Sequence, residues 1–100
     1  MTGAIADYEA ALKIDDDANT HQNLGTAYQA SNNLPEAAAQ YKRALQMDPS
    51  IADAHYYLAT IYDTNKQTAA AIAEYQKYLK LAPNGTTAAD ARKRLKELGR

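Results

Sequence analysis

The chain has no cysteine, no phenylalanine and no tryptophan, and only three prolines and four glycines among 100 residues. Without cysteine it has no disulfide, no thiol nucleophile and no Cys-ligated zinc, while cytoplasm and periplasm both stay open as compartments. A formal net charge of −1 leaves none of the basic excess that drives binding to phosphate backbones, so no nucleic-acid partner is expected. No apolar run approaches the roughly 18 residues that span a bilayer. Asp7, Glu9 and Asp15 fall where a signal peptide would be uncharged. The expectation is a soluble chain with no membrane partner.

With Phe and Trp missing, all eight aromatic side chains are Tyr, and each ring brings a hydroxyl that needs water or a partner. Many of them are therefore expected at helix margins. An apolar share of 46% and a charged share of 23% suit one small globular domain spanning residues 1–100. The charge is uneven. Residues 1–41 carry −5, from Asp7, Glu9, Asp15, Asp16, Asp17 and Glu36 against Lys13, whereas residues 86–100 carry +3.

What the chain does have is a period. A shift of 34 positions lays His21 on His55, Leu24 on Leu58, Tyr28 on Tyr62, Ala37 on Ala71, Tyr41 on Tyr75, Leu45 on Leu79 and Pro49 on Pro83. Self-similarity at one fixed period marks a repeat architecture, in which each unit buries its apolar face only against neighbours.

Within each period the apolar residues follow helical spacing. His21, Leu24, Gly25 and Tyr28, and then His55, Leu58, Ala59 and Tyr62, stand at i, i+3, i+4 and i+7 and define a first helix over 18–31 and again over 52–64. Second helices follow with Ala37, Tyr41, Ala44 and Leu45, and with Ala71, Tyr75, Tyr78 and Leu79. The same stripe appears earlier as Ala4, Tyr8, Ala11 and Leu12, so residues 3–16 read as a second helix without its first. Gly25, Ala59, Ala37 and Ala71 are small where paired helices must approach closely.

Ser31-Asn32-Asn33 before Pro35, and Asn65-Lys66-Gln67-Thr68, read as the turns within each pair, with Thr68 an expected N-cap. Pro49 and Pro83 stop the second helices. Ser50 with Asp53, and Thr87 with Asp90, have the spacing of capping boxes, and Asp15-Asp16-Asp17 is expected to cap the helix after it. Residues 87–98 place Ala88, Ala91, Leu95 and Leu98 on one face and Arg92, Lys93, Arg94 and Lys96 elsewhere, as a terminal capping helix would.

This unit, with Leu-Gly or Leu-Ala, Tyr three residues later, then Ala, Tyr, Leu and Pro, resembles the tetratricopeptide repeat. Full copies run over 18–51 and 52–85, after the half repeat at 3–16 and before the cap at 86–100. The resemblance implies an all-α right-handed solenoid of about six helices, a single domain in antiparallel pairs. It also shows three departures. His21 and His55 stand where the family often has Trp, Leu or Tyr; Tyr78 replaces a small residue that lets the next repeat pack closely; and Asp16 replaces the Pro that ends a repeat.

Candidates for chemistry are few. His21 and His55 sit one repeat apart, on helices about 8–10 Å from each other, with no carboxylate patterned beside them, which reads as packing rather than as a metal site. Ser31 and Ser50 fall in turns without a matched base, and the four glycines form no phosphate-cradling motif. No catalytic residue, metal or cofactor is expected. The basic residues of the last helix read as a solvated face.

The remaining signal is the stripe on each first helix that packing does not use. It comprises Asn19, Gln22, Asn23, Thr26 and Gln29, then Asp53, Tyr56, Tyr57, Thr60 and Asp63, with Arg94 from the capping helix. In the family these positions line a concave groove that holds an extended peptide or a partner helix. For Tyr56 and Tyr57 the spacing leaves both binding and packing open. Some family members clamp a terminal carboxylate with Lys, Arg and Asn; Asn23 matches one such position, but Asp53 and Tyr57 stand where cations would be needed, so no clamp is expected. The resemblance thus implies a non-catalytic module for a protein or peptide partner. The alternatives are a spacer that self-associates into a homo-oligomer through its N-terminal half repeat, and an accessory domain of a larger enzyme.

Overall fold

The computed structural model describes residues 5, 7–10 and 17–99. Residues 5 and 7–10 are helical, and five helices follow: α1 (Ala18–Ala30), α2 (Leu34–Met47), α3 (Ala52–Thr64), α4 (Thr68–Leu81) and α5 (Ala88–Glu97). There is no strand among the described residues. Ala4, Ala11 and Leu12 of the opening stripe, with Asp15 and Asp16, lie outside the described residues.

Local chemistry sets the helix ends. Asp17 caps α1, its carboxylate accepting the Thr20 N–H at 2.8 Å, and that bond holds its pKa below the ordinary value. Helices α1 and α3 stop in the same way. Asn33 N–H donates to Tyr28 O at 2.8 Å and Asn32 N–H to Gln29 O at 3.0 Å; Gln67 N–H and Lys66 N–H repeat the two bonds to Tyr62 O and Asp63 O at 2.8 and 3.0 Å. This is the paired 6→1 and 5→2 pattern of a Schellman turn, with Asn32 and Lys66 in the left-handed region at φ 61. Each turn sends the chain straight into its second helix. Helices α2 and α4 end at Met47 and Leu81, just ahead of Pro49 and Pro83.

Three expected caps are absent. The N-cap of α3 is Ile51, so Ser50 stands one residue before the cap position. Gln67 rather than Thr68 precedes α4, because the tight turn already makes Thr68 helical. Thr87 stands at the N-cap of α5 with φ −108 and ψ 12, far from the extended backbone that aims a cap side chain inward, and makes no side-chain cap bond.

The chain divides into two compact units, Met1–Pro49 and Ser50–Arg100. In the first, α1 packs on α2 through Leu24, Ala27, Ala37, Tyr41 and Ala44, all buried. Gly25 is a steric necessity here, since a Cβ at this position would come within 2.9 Å of the Tyr41 ring. In the second unit, Ala59, Ala71, Tyr75, Tyr78, Ala88 and Ala91 form a core cluster, with Tyr56, Tyr62, Leu79, Leu95 and Leu98 packed around it. Small residues at the helix contacts let the tyrosine rings fill the space between the helices.

The tyrosines are not confined to margins, as Tyr41 and Tyr78 are fully buried. Burial is tolerated because the hydroxyls are bonded, and no buried side-chain polar atom among the described residues lacks a partner. Tyr78 Oη accepts the Thr87 N–H at 3.3 Å, directly beneath Gly85.

Candidate functional site

In the first unit, α1 turns His21, Leu24, Gly25 and Ala27 inward. Of the stripe opposite, Asn19, Asn23 and Thr26 are exposed while Gln22 and Gln29 are half-buried. Thr26 Oγ1 donates to Gln22 O at 3.1 Å and lies 3.1 Å from the Tyr41 hydroxyl, which donates to Gln29 Oε1 at 2.9 Å. Gln29 is therefore committed to holding a core tyrosine. Asn19, Gln22 and Asn23 give this face a row of side-chain amides, able both to donate to and to accept from a peptide backbone.

In the second unit, the corresponding stripe of α3 divides in two. Asp53 is exposed, and Tyr57 and Thr60 are half-buried. The Thr60 hydroxyl donates to Tyr57 O at 2.6 Å. Tyr56 turns into the unit, with its ring 5.9 Å from that of Tyr75 and 5.3 Å from that of Tyr78, so it serves the core; Tyr57 meets it edge-on at 5.8 Å. Burial, followed by the charge of Asp90, pushes the Tyr56 hydroxyl pKa up.

Asp63 is also drawn inward. Arg94 of α5 grips both of its oxygens, with Nη2 on Oδ1 at 2.8 Å and Nε on Oδ2, and the Tyr75 hydroxyl donates to Oδ2 at 3.3 Å. The Arg94 bonds hold the Asp63 pKa below the ordinary carboxylate value against the opposing effect of burial. Burial first, then the Asp63 charge, pushes the Tyr75 hydroxyl up. Arg94 also donates from Nη1 to Glu97 Oε1 at 3.2 Å. This network ties α3, α4 and α5 together.

Two polar pairs went unread in the sequence. His21 Nδ1 lies 2.7 Å from Gln40 Oε1, and His55 Nδ1 lies 2.7 Å from Glu74 Oε1. Glu74 is 9% exposed and also takes Lys77 Nζ at 3.2 Å. The expectation that no carboxylate accompanies the histidines thus fails for His55. The signal was available, since Gln40 and Glu74 are themselves 34 positions apart and interrupt the apolar stripes of α2 and α4. Both histidines are buried between paired helices, consistent with packing. Among the described residues no three His, Cys, Asp or Glu side chains converge as a metal site would require.

A family model described as "Tetratricopeptide repeat" matches residues 23–86. No curated protein sequence matches the chain. Among solved structures, an Arabidopsis OM64 TPR domain aligns with TM-score 0.87 and 24% identity, over 94% of this chain and 78% of that one. The first TPR of Spaghetti, bound to the HSP90 peptide SRMEEVD, aligns with TM-score 0.85 and 19% identity over 94% and 73% of the two chains. The Yersinia enterocolitica type III secretion chaperone SycD, in complex with a peptide of the translocator YopD, aligns with TM-score 0.78 and 19% identity over 97% and 78%. At these identities the likeness is one of fold, an all-α arrangement of paired helices.

Proposed function

The chain belongs to the tetratricopeptide repeat family, and from that footing we propose that it is a non-catalytic interaction module whose first-helix faces receive a segment of a partner protein. The observation that carries this reading is the asymmetry of α1 and α3. Each buries one side completely, with Leu24 and Leu58 at 1% and 3% exposure, while amides on one helix and Tyr57 with Thr60 on the other remain accessible. Amides suit a peptide backbone, and a tyrosine offers broad apolar area with a polar tip at little conformational cost. The peptide-bound relatives of the same fold support the reading.

The test is quantitative capture of partner from the source cell by wild-type protein and by the Gln22→Ala and Tyr57→Ala variants. Weaker capture with an unchanged melting temperature is the expected result. Equal capture by all three would count against these faces as the binding surface.

A second reading is favoured by the exposed Arg92, Lys93 and Lys96 on α5, set against the acidic first 41 residues. Opposite ends of two copies would attract, giving head-to-tail assembly. Sedimentation at low and high salt decides it, since a monomer at every concentration and at low salt would eliminate the assembly.

A further inference from the structure

Six asparagines stand in the chain, and only Asn84 is followed by a glycine. Asparagine is thermolabile because the backbone nitrogen of the next residue lies one ring closure from its Cγ, and a side chain on that next residue hinders the approach. Thr20, Leu24, Asn33, Leu34 and Lys66 supply the hindrance after the other five asparagines. Gly85 supplies none.

Tertiary packing keeps position 85 bare. Gly85 has no positive φ, so space rather than backbone conformation demands it: the Tyr78 hydroxyl fills the volume that a Cβ would take. Asn84 is exposed, between α4 and α5, in a turn closed by Gly85 N–H donating to Ala82 O at 3.0 Å. With Pro83 second, and Asn84 third without a positive φ, this is a type I β-turn. Asn19 and Asn23, by contrast, are fixed within α1. The Gly85–Ala82 bond must open before nitrogen and Cγ meet, and a turn opens far more often than a helix interior.

We infer that Asn84 is a self-modification site, converting through a succinimide to aspartate and isoaspartate, and that the isoaspartate form loosens α5. The Gly85 nitrogen gives its proton to solvent and bonds to Asn84 Cγ, while the side-chain nitrogen leaves as ammonia. Water then opens the ring. Cleavage at Cγ yields aspartate; cleavage at the main-chain carbonyl carbon yields isoaspartate, whose backbone runs through the former side chain and is longer by one methylene. Nothing is oxidised or reduced. Two hydrogen bonds span the lengthened link: Tyr78 Oη accepts the Thr87 N–H, and Arg92 Nη2 donates to Pro83 O. They hold the start of α5, whose Ala88 and Ala91 belong to the buried core cluster, so the added methylene works against the packing of that helix.

The experiment holds the whole chain, and its Asn84→Ser and Asn84→Asp variants, in warm and mildly alkaline buffer with and without urea. Peptide mass spectrometry with electron-transfer fragmentation locates the conversion, and methyl transfer from S-adenosylmethionine by an isoaspartyl methyltransferase counts the isoaspartate. In buffer, residue 84 should convert before any other asparagine and faster as pH rises, at roughly a tenth of the rate in urea because the turn must open. Asn84→Ser should accumulate no isoaspartate at this position. The isoaspartate fraction should melt below the unconverted protein, whereas Asn84→Asp, which gains the charge without the extra methylene, should melt with it. Earlier conversion of another asparagine, or an Asn84 that reacts in urea and stays intact in the folded chain, would overturn the site. An isoaspartate fraction that melts with the unconverted protein would overturn the loosening of α5.

Discussion

The hydroxyl of Tyr78 occupies the space that a side chain at residue 85 would need. A Cβ built on Gly85 would run into Tyr78 Oη, and that oxygen accepts the N–H of Thr87 where the chain turns into α5. Tyr78 stands where the repeat resembles others carrying a small residue, and Gly85 is the compensation that makes room for it. Gly85→Ala is expected to cost about 1–3 kcal/mol by overpacking. Tyr78→Phe removes the obstructing oxygen, so the double variant should recover part of that loss. A double-mutant cycle in urea denaturation measures the coupling, and strictly additive effects would show that the contact relaxes without cost.

The two Schellman turns supply an internal control. Asn32 and Lys66 share φ 61 at equivalent positions, but only Asn tolerates this region readily. Lys66→Asn should raise stability by about 0.5–1 kcal/mol, and Asn32→Lys should lower it by a similar amount. Both residues are exposed, so neither change disturbs packing. Opposite shifts in melting temperature are the expected result.

Leu58 on α3 is buried at 3% exposure, whereas Thr60, two residues on, is half-buried on the other side of the helix. Leu58→Ala should cost about 2–5 kcal/mol through lost burial and the cavity left behind. Thr60→Ala should cost far less, since Thr60 is only half-buried and its hydroxyl donates to Tyr57 O within its own helix. Equal losses in thermal unfolding would mean that the faces of α3 are assigned the wrong way round.

Asp63 and Tyr75 give the second unit a pH dependence at both extremes. The Asp63 pKa is depressed by Arg94, so its contribution is full above the unfolded value of about 3.9 and is lost as pH falls through the lower folded value. The Tyr75 pKa is raised by burial, so its contribution is full below about 10 and is lost as pH rises towards the folded value. Asp63→Asn should flatten the acid limb of a plot of urea midpoint against pH. It should also shorten the alkaline limb, which still begins near the unfolded value of about 10, because without the Asp63 charge the folded-state Tyr75 pKa falls back towards that value.

The period, the helix boundaries and the inward stripes were legible in the sequence because they rest on local chemistry: proline ends a helix, a left-handed residue turns it, and spacing of three or four selects a face. What happens on the outward face was not local. Tyr56 joins Tyr75 and Tyr78, Gln29 holds Tyr41, and Asp63 is claimed by Arg94 from a helix 31 residues further on. Helical spacing assigns a residue to a side but not to a partner. Only the packed helices decided which polar and aromatic groups serve the interior, as Gln29, Tyr56 and Asp63 do, and which, as with Asn23 and Asp53, stay exposed.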